Sequence, residues 1–331
     1  MINEIAQKQI QEITEKCQSI KPLVVIQSLT YNHEPYLKDA LEGFARQKTN
    51  FPFVAIVHED ASTDGTAEVL REYAEKYPDI IFPIYEKENQ YSKRDGSLSK
   101  IMNEVSFATG AKYVAICEGD DYWTDINKLQ KQVDFLEENS DFTMCFHNAI
   151  VHYENHDRED HIHNQIPQGE IFKDEIIRDN WIYITAGFVF KSSILNNVLY
   201  KRCIKSRKMY VGDIILILTS ASEGKIYYFD SIMSVYRNCL NNFTNTVDEN
   251  KIIKFINQDV ELIKIFDKSL SRQIKVQLAR KSKYLYKYLR EGKLKNASKT
   301  FFYCFTYAPI LSAKELGKFF ISLLRRKLIS V

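Results

Sequence analysis

The sequence predicts an α/β fold, with a mostly parallel central sheet flanked by helices and followed by a C-terminal helical extension. Two observations support this class. Short apolar runs alternate with segments of helical periodicity along the first part of the chain, which is typical of strand–helix–strand units. In addition, 331 residues, of which 45% are hydrophobic and 27% charged, are enough for one large α/β domain with a smaller appendage.

The predicted elements follow in order along the chain. Residues 1–20 form an N-terminal helical arm, because apolar residues recur there at three- and four-residue steps. Residues 21–246 form the main domain, and its first predicted strands are Leu23–Leu29, Phe53–Glu59, Ile80–Tyr85 and Tyr113–Cys117. Helices are expected to begin near Glu34, Thr66 and Ser97. Residues 247–331 form a basic, helical C-terminal region.

A formal net charge of +2 conceals an uneven distribution of charge. Residues 251–331 contain 19 Lys and Arg against 5 Asp and Glu, whereas the rest of the chain contains 26 against 38. A basic segment of this kind favours an anionic partner, either phospholipid headgroups or nucleic acid. The alternative is a solvated helical face without a partner.

The sequence of the last predicted helix indicates a membrane, and not nucleic acid, as the anionic partner. Phe319, Phe320, Leu323 and Leu324 precede a basic run at residues 325–327, as in a basic amphipathic helix that lies in a membrane interface. Ordinary core packing would explain the same apolar residues. We expect an anionic membrane surface as a partner and no nucleic acid, and we consider a homodimer as a candidate assembly.

Cysteine usage and hydropathy indicate the compartment. The six cysteines are scattered and form no CxxC pair, as expected for reduced thiols in the cytoplasm. The sequence does not open with a signal peptide, and no apolar run is long enough to cross a bilayer. We therefore predict a cytoplasmic protein that can attach peripherally to the inner face of the cell membrane.

Polar loops follow the predicted strands, at the sheet edge where open α/β sheets bind ligands. The three loops are residues 30–33, 60–66 and 118–121, and the second and third of them are acidic. Carboxylates repel phosphates unless a divalent cation lies between them. Glu118, Asp120 and Asp121 supply three carboxylates within four residues, which predicts a Mn²⁺ or Mg²⁺ site. The alternative is a helix N-terminus, since Asp120 and Asp125 are good capping residues before a helix at Ile126–Glu138.

Taken alone, the 60–66 loop is also a common turn or helix N-cap composition. The order of all three loops, however, resembles that of the family 2 glycosyltransferases, enzymes of the GT-A fold, over Pro22–Thr246. Val24–Asn32 resembles the opening strand with its Thr-Tyr-Asn turn, and His58–Thr66 resembles an Asp-Asp-Gly-Ser-x-Asp-x-Thr motif in which Ala61 stands where Gly is usual. Glu118–Asp121 falls where the family carries a metal-binding Asp-x-Asp.

The resemblance implies roles for individual residues. Asp60 would accept a hydrogen bond from the imide N–H of uracil or thymine, because a carboxylate is an acceptor only. The residues expected at the nucleotide are Thr30, Tyr31, Asn32, Glu34, Asp60, Ser62, Asn103 and Asp120. The residues expected at a Mn²⁺ or Mg²⁺ cofactor are Glu118, Asp120 and Asp121, with Glu118 in place of the usual Asp.

Later segments extend the resemblance. Asn180–Phe190 resembles the strand that lines the donor and acceptor pockets, and Val211–Leu216 resembles a segment whose Asp is the general base. Asp213 is therefore the expected catalytic base, although it also suits the N-terminus of a helix over Ile214–Ser222.

A last element, Ser234–Cys239, resembles a Tyr-Arg-x-His sequence that lies near metal and diphosphate. Arg237 and Cys239 are expected in that vicinity. Cys239 replaces the usual His, and a thiol is a softer ligand that suits Mn²⁺ or Mg²⁺ less well.

The predicted function is inverting, metal-dependent glycosyl transfer of the hexosyltransferase type. The expected donor is a nucleotide-diphosphate sugar, with UDP favoured. The expected acceptor is a hydroxyl of a glycan or lipid-linked oligosaccharide in bacterial capsule, O-antigen or exopolysaccharide synthesis. Two alternatives stay open: an inactive nucleotide-sugar-binding or scaffold protein of the same fold, and a sugar nucleotidyltransferase. A dinucleotide-dependent dehydrogenase is disfavoured, because the 30–33 loop lacks closely spaced glycines.

Overall fold

The computed structural model describes residues 2–93, 95–154, 158–172, 175–176, 182–239, 249–266 and 268–329. The chain divides into two compact units. The first comprises Met1–Phe172, Ile182–Lys205 and Asp213–Asn242, and the second comprises Lys173–Trp181, Ser206–Gly212 and Phe243–Val331. The division at residues 20 and 246 that the sequence suggests stays a prediction.

One sheet runs through the first unit. Within the described residues its strands are β1 Val24–Thr30, β2 Phe53–Glu59, β3 Ile81–Tyr85, β4 Tyr113–Ile116, β5 Tyr122–Trp123, β6 Phe142–Tyr153, β7 His161–Ile162, β8 Gly169–Ile171, β9 Val189–Lys191 and β10 Lys225–Asn238. The order across the sheet is β3-β2-β1-β4-β9-β6-β10-β5, with β7 beside β6 and β8 beside β10. Strands β1 to β4 are parallel to their neighbours in this group, as predicted. Their carboxyl ends therefore share one edge.

Helices flank the sheet and make up most of the second unit. In the described part of the chain they are α1 Glu4–Ile20, α2 Glu34–Ala45, α3 Thr66–Lys76, α4 Gln90–Lys93, α5 Ser97–Ala108, α6 Lys128–Glu138, α7 Ser193–Asn196, α8 Val198–Lys205, α9 Asp213–Glu223, α10 Glu249–Ile265, α11 Lys268–Arg280, α12 Lys283–Arg290, α13 Leu294–Tyr307 and α14 Pro309–Ile329. The predicted starts of α2, α3 and α5 are confirmed.

The N-terminal helix α1 covers the edge strand β3. The apolar stripe predicted from its periodicity is buried and consists of Ala6, Ile10, Ile13 and Cys17. The Gln9 side-chain amide donates to the Tyr85 carbonyl at 3.0 Å, and its oxygen accepts from the Tyr85 N–H at 2.8 Å. This pair of bonds occupies backbone groups of an edge strand that would otherwise be open to another chain.

The predicted strand over Asn180–Phe190 is wrong in its extent. Thr185–Gly187 form a 3₁₀ turn, and the sheet takes only Val189–Lys191; residues 180–181 lie outside the described residues. The Thr185 carbonyl accepts from the Phe188 N–H at 3.0 Å, and side chains satisfy the other two carbonyls of the turn. The Trp123 indole N–H donates to Ala186 O at 2.8 Å, and Gln132 Nε2 donates to Gly187 O at 2.9 Å.

The centre of the sheet is covered on both faces. All seven residues of β2 are buried, as expected for a parallel strand between two helical layers. Trp123 anchors one side of the core, with its ring edge-on to Phe44 at 5.0 Å. Gly43 allows helix α2 to approach, because a Cβ there would lie 3.1 Å from the Trp123 backbone.

A lysine lies within this core. Lys128, the first residue of α6, is 0% exposed, and its Nζ has no hydrogen-bond partner among the described residues. The ammonium group lies 4.0 Å from the Trp123 ring centroid, which is a cation–π contact. Burial nevertheless lowers the pKa of Lys128 to about 7. The loss of hydration is the main cause of this shift.

The second unit has its own apolar core. Its buried members are Ile252, Ile253, Ile256, Val260, Leu278, Tyr288, Ala297 and Cys304. None of the helices in the described residues is both long enough and apolar enough to cross a lipid bilayer. The side chains of residues 323–329, which include Leu323, Leu324 and the basic run 325–327, lie outside the described part.

We predict that Lys128→Met stabilises the protein by about 2 kcal/mol at pH 7, since it removes a buried charge at a modest loss of cation–π attraction. In the unfolded protein Lys128 is protonated below a pH of about 10, whereas in the folded protein it is protonated only below about 7. Between these values protonation favours the unfolded state, so the wild type gains stability as the pH rises. The difference in unfolding free energy between variant and wild type should therefore shrink as the pH rises from 7 to 10. Urea denaturation across this pH range measures it.

Lys112→Met is the matched control, because Lys112 is half-exposed and pairs with Glu137 on the surface. It should change the unfolding free energy by less than about 0.5 kcal/mol. A loss of stability in Lys128→Met, with no change in the pH dependence, would show that the ring contact dominates.

Candidate functional site

The three polar loops predicted from sequence meet at the carboxyl ends of β1, β2 and β4. The Asp60 N–H donates to Thr30 O at 3.0 Å, and the Gly119 N–H donates to Leu29 O at 2.9 Å. Gly119 allows this approach, since a Cβ there would lie 2.8 Å from Thr30 Oγ1. Thr30 is thus in contact with both neighbouring loops.

Side chains join the first two loops. The Asn32 N–H donates to Ser62 Oγ at 3.0 Å, and Asn32 Oδ1 accepts from the Thr63 N–H at 2.8 Å. Glu34 Oε2 accepts from the Gly65 N–H at 2.8 Å. Three of the residues predicted to bind nucleotide therefore also hold the loops in register. Exposed at the same edge is the ring of Tyr31.

Ala61 takes an unusual backbone conformation in the second loop. Its φ of 61° lies in the left-handed region, which an alanine enters at a cost of roughly 1 kcal/mol relative to glycine. The neighbouring residues hold it there, because the Glu59 carboxylate accepts from the Ser62 N–H at 2.6 Å. This geometry explains why glycine suits the position.

Asp60 is buried, and its carboxylate is already hydrogen-bonded. Oδ1 accepts from the Gln90 N–H at 2.6 Å, and Oδ2 accepts from the Tyr91 N–H at 3.0 Å, at the start of α4. These bonds fix the orientation of the carboxylate. Each oxygen keeps a second acceptor position for another donor.

Asn103 is hydrogen-bonded away from the three loops. It lies on α5, where its Oδ1 accepts from the Tyr200 hydroxyl of α8 at 3.3 Å. This bond joins two helices.

The acidic loop after β4 lies beside Asp213. The surrounding protein and the negative charges of Asp120 and Asp213 raise the pKa of Glu118. Burial likewise raises the pKa of Asp213 to about 7. Glu118 keeps an exposed surface, so that water or a cation can reach its carboxylate. The structure therefore brings the expected base and two of the expected metal ligands into one electrostatic neighbourhood.

The carboxylates of the acidic loop differ in their partners. Asp121 Oδ1 accepts from the Arg237 N–H of β10 at 2.9 Å, and the side chain is 3% exposed. Asp120 Oδ2 lies 4.0 Å from His33 Nε2, while its buried Oδ1 has no hydrogen-bond partner in the described residues. Asp121 thus joins the loop to the sheet, and Asp120 presents a free oxygen atom.

A metal ion would meet two of these carboxylates. Over the described part of the chain, no group of three His, Cys, Asp or Glu side chains is arranged to hold one. Glu118 and the unpartnered Asp120 oxygen still fit Mn²⁺ or Mg²⁺ with substrate phosphates, because such ions are commonly held by one or two carboxylates with phosphate and water. The assignment of Asp121 as a third ligand stays a prediction.

Arg237 is held tightly beside this loop. Its Nη1 donates to Asp120 O at 2.9 Å, and Nη2 pairs with the Asp39 carboxylate. The guanidinium also stacks on Tyr122 at 4.5 Å and on Tyr36 at 5.2 Å. It is therefore a fixed positive charge behind the acidic loop.

Cys239 lies close to Arg237 and the loop. A hydrogen bond with the Cys239 side chain is the main cause that raises the pKa of Tyr36 to about 12. Burial, with added repulsion from Asp120, raises the pKa of the Cys239 thiol. A neutral thiol bonded to a phenol is a poor ligand for a hard cation.

Three residues at the start of α2 belong to the site although the sequence did not single them out. They are His33, Tyr36 and Asp39, and they contact Asp120, Cys239 and Arg237 respectively. Their spacing of three residues places them along one side of the helix. That spacing, together with the predicted start of a helix after the first loop, could have identified these three residues from the sequence.

The geometry agrees with comparisons to known proteins. A family model for glycosyl transferase family 2 matches residues 27–199. An uncharacterized protein of Mycobacterium tuberculosis is 35% identical over 217 residues, which is 64% of this chain and 58% of the relative. The putative teichuronic acid biosynthesis glycosyltransferase TuaG of Bacillus subtilis is 32% identical over 120 residues, covering 36% of this chain and 44% of the relative. The chain thus spans less than two thirds of the length of these curated relatives.

Solved structures share the fold. The S. aureus TarS fragment 1–349 in complex with UDP aligns with a TM-score of 0.54 at 16% identity, covering 80% of this chain and 72% of that chain. The mannosyltransferase PcManGT from Pyrobaculum calidifontis, in complex with GDP-Man and Mn²⁺, aligns with a TM-score of 0.50 at 13% identity over 94% and 95%. The predicted GT-A fold with a C-terminal helical region is confirmed. The chain belongs to glycosyl transferase family 2.

Proposed function

We propose that this protein is an inverting, metal-dependent glycosyltransferase of the hexosyltransferase type. It would transfer a sugar from a nucleotide-diphosphate donor to a hydroxyl of a glycan or lipid-linked oligosaccharide. The observation that carries the proposal is that, beyond the effect of burial, the charges of Asp120 and Asp213 both act on Glu118 and raise the pKa of its carboxyl group. This arrangement would place a base near a site for a cation and a diphosphate, so that the acceptor could lose its proton while the charge of the leaving group is neutralised.

The proposed donor is a UDP-sugar. TarS was solved with UDP and with UDP-GlcNAc, and PcManGT with GDP-Man. Asp60 supports a uracil or thymine base, because an oriented carboxylate can accept the imide N–H. Its bonds to the N–H groups of Gln90 and Tyr91 hold the acceptor lone pairs in place.

Glu118 and Asp120 are the proposed ligands for Mn²⁺ or Mg²⁺. A bound divalent cation would neutralise the diphosphate as it leaves. The chain's own contribution is to hold Asp120 in place, through the bond from Arg237 to its carbonyl and through the anchoring of Asp121 to β10.

Asp213 is the proposed general base. It would take the proton of the acceptor hydroxyl while the acceptor oxygen forms a bond to C1 and the bond from C1 to the diphosphate oxygen breaks. The raised pKa of Asp213, about 7, suits a base that works near neutral pH. Its location at the first position of α9 also fixes the carboxylate, since Oδ1 accepts from the Ile214 N–H at 2.6 Å.

A surface polysaccharide of the capsule, O-antigen or exopolysaccharide type is the proposed destination of the sugar. One relative supports it by its description, the putative teichuronic acid biosynthesis glycosyltransferase TuaG. The proposed place of action is the cytoplasm, at the inner face of the cell membrane. The cysteines support a reducing compartment, since all six are free thiols.

Nucleotide binding tests the donor assignment. UDP with Mn²⁺ should raise the melting temperature, and UDP without metal should raise it less, because a ligand that binds only the folded state stabilises it. A ligand at 100 times its Kd raises the free energy of unfolding by about 2.7 kcal/mol. Differential scanning fluorimetry with UDP, dTDP, GDP and CDP ranks the nucleotides by the shift in melting temperature that each produces.

Asp60→Asn provides the variant for this test, and its own ligand-free melting temperature is the baseline. The amide keeps the size of the carboxylate but replaces one acceptor oxygen with a donor, so the UDP-induced shift should fall more than the Mn²⁺-induced one. If none of the nucleotides shifted the melting temperature of the wild type, an inactive scaffold of the same fold would be favoured. Release of pyrophosphate from UTP and a sugar phosphate would favour the nucleotidyltransferase alternative.

Asp213→Asn tests the base. We expect kcat to fall about 10²- to 10⁴-fold while the UDP-sugar-induced thermal shift is kept. Asparagine is as good a residue as aspartate at a helix start, so α9 should stay folded. A donor turnover assay with a mixture of surface glycan acceptors measures the loss.

Asp141→Asn is the matched control, because Asp141 is a surface carboxylate that pairs with Lys225. Its kcat should equal that of the wild type. If Asp213→Asn also kept wild-type turnover, the base would have to be another residue.

A further inference from the structure

The outward face of α13 is apolar. Leu294, Phe301 and Phe302 are 69%, 53% and 59% exposed. Their spacing of seven and eight residues places them on one side of the helix, together with the half-buried Phe305. The rings of Phe301 and Phe305 stack with centroids 4.8 Å apart.

The opposite side of α13 fixes the helix in the second unit. Its core-facing residues are Ala297, Thr300 and Cys304, all of them buried. The Cys304 thiol donates to Leu278 O of α11 at 3.4 Å. The exposed aromatic side chains therefore cannot be buried by rotating α13 without unpacking this core.

Helix α14 repeats the arrangement. Ile310 is 82% exposed, Phe320 42% and Ile321 55%. Ala313 and Gly317 lie between them on the same helical side. The other side is anchored, because the buried Ser312 donates from Oγ to Cys304 O at 2.9 Å. Consecutive helices thus each present an apolar surface to solvent.

Basic residues border both surfaces. Lys295 and Lys299 lie beside Phe302 on α13, and Lys314 and Lys318 lie beside Ile321 on α14. Residues 268–322 contain 13 Lys and Arg against two Glu. Both glutamates are paired with lysines, since Glu291 lies 2.9 Å from Lys293 and Glu315 lies 2.7 Å from Lys318. The surroundings are therefore strongly positive.

We propose that the outward faces of α13 and α14 bind an anionic phospholipid bilayer, with the aromatic and aliphatic side chains in the interface and the lysines at the headgroups. Exposed apolar residues bordered by basic ones are the pattern of an interfacial helix. Nucleic acid fits less well, because the exposed phenylalanines share these faces with the aliphatic Leu294, Ile310 and Ile321, which offer no ring on which a base could stack. The proposal does not depend on the glycosyl transfer reaction.

The surface differs from the one that the sequence suggests. That hypothesis used Phe319 and Phe320 with the residues that follow. In the structure the Phe319 ring packs on Tyr286 at a centroid distance of 5.8 Å. Phe320 belongs to both surfaces, and the other large apolar side chains that are exposed among the described residues of these helices include Leu294, Phe301, Phe302 and Ile310, earlier in the chain.

Vesicle flotation with the full chain tests the proposal. The protein should float with phosphatidylcholine vesicles that contain 30% phosphatidylglycerol, on the order of the anionic content that attracts basic segments. It should not float with pure phosphatidylcholine, and added salt should weaken the binding. The double variant Phe302→Ser/Ile310→Ser should lower the partition coefficient by at least about tenfold, because two large apolar side chains leave the interface.

Val198→Ser is the matched apolar control, since Val198 is 70% exposed on α8 of the first unit. It should leave flotation unchanged. The charge-reversal variant Lys295→Glu/Lys299→Glu should reduce binding and its salt dependence. Its control is Lys8→Glu/Lys112→Glu, which changes the net charge equally at two exposed lysines of the first unit. Thermal unfolding of each variant verifies that it is folded.

Four results would overturn the proposal. The first is equal flotation with neutral vesicles, and the second is no flotation with anionic ones. The third is an equal loss of binding in a variant and its matched control. The fourth is that the wild type does not bind vesicles and uses the same surface for another partner. It would then bind duplex DNA at physiological salt, or self-associate in sedimentation velocity, and Phe302→Ser/Ile310→Ser would abolish that interaction.

Discussion

The buried hydrogen bond from the Arg237 N–H to the Asp121 carboxylate is the interaction on which the site depends. It joins the loop after β4 to β10 across 116 positions of sequence. The Arg237 side chain then holds the Asp120 carbonyl and pairs with Asp39 on α2. One strand residue therefore sets the loop, the helix and the unpartnered Asp120 oxygen in a single arrangement. Removal of either partner would leave a buried charge or donor unsatisfied, which is costly.

Local signals explain why the elements around the site could be predicted from sequence. Strand β2 begins and ends at the predicted residues, because an apolar run at 53–57 leads through the buried His58 and Glu59 to the polar 60–66 loop. Helix α6 starts two residues later than predicted, at Lys128. The reason is not local: the segment before it forms β5, which pairs with β10. Asp125 then accepts from the Asn127 N–H and supports the later start.

The roles of the carboxylates could not be predicted in the same way. Asp60 and Asp121 both look like free ligands in sequence, yet both accept backbone N–H groups from distant segments. Asn103 likewise finds Tyr200, which is 97 positions away. Sequence motifs identify which polar residues gather at the sheet edge, and tertiary hydrogen bonds decide which of them have free lone pairs. Asp120 keeps an unpartnered Oδ1, whereas Asp121 Oδ1 accepts from the Arg237 N–H.

The charges of the remaining carboxylates favour the proposed cation in this site. Burial raises the pKa of Glu118, and repulsion from Asp120 and Asp213 adds to this effect. The nearby Arg237 does not relieve this repulsion fully, because its guanidinium is already shared with Asp39 and the Asp120 carbonyl. Like charges held together cost stability unless an opposite charge lies between them. A divalent ion at Glu118 and Asp120 would supply that charge and leave Asp213 as the carboxylate without a cationic partner, which is the condition that a general base requires.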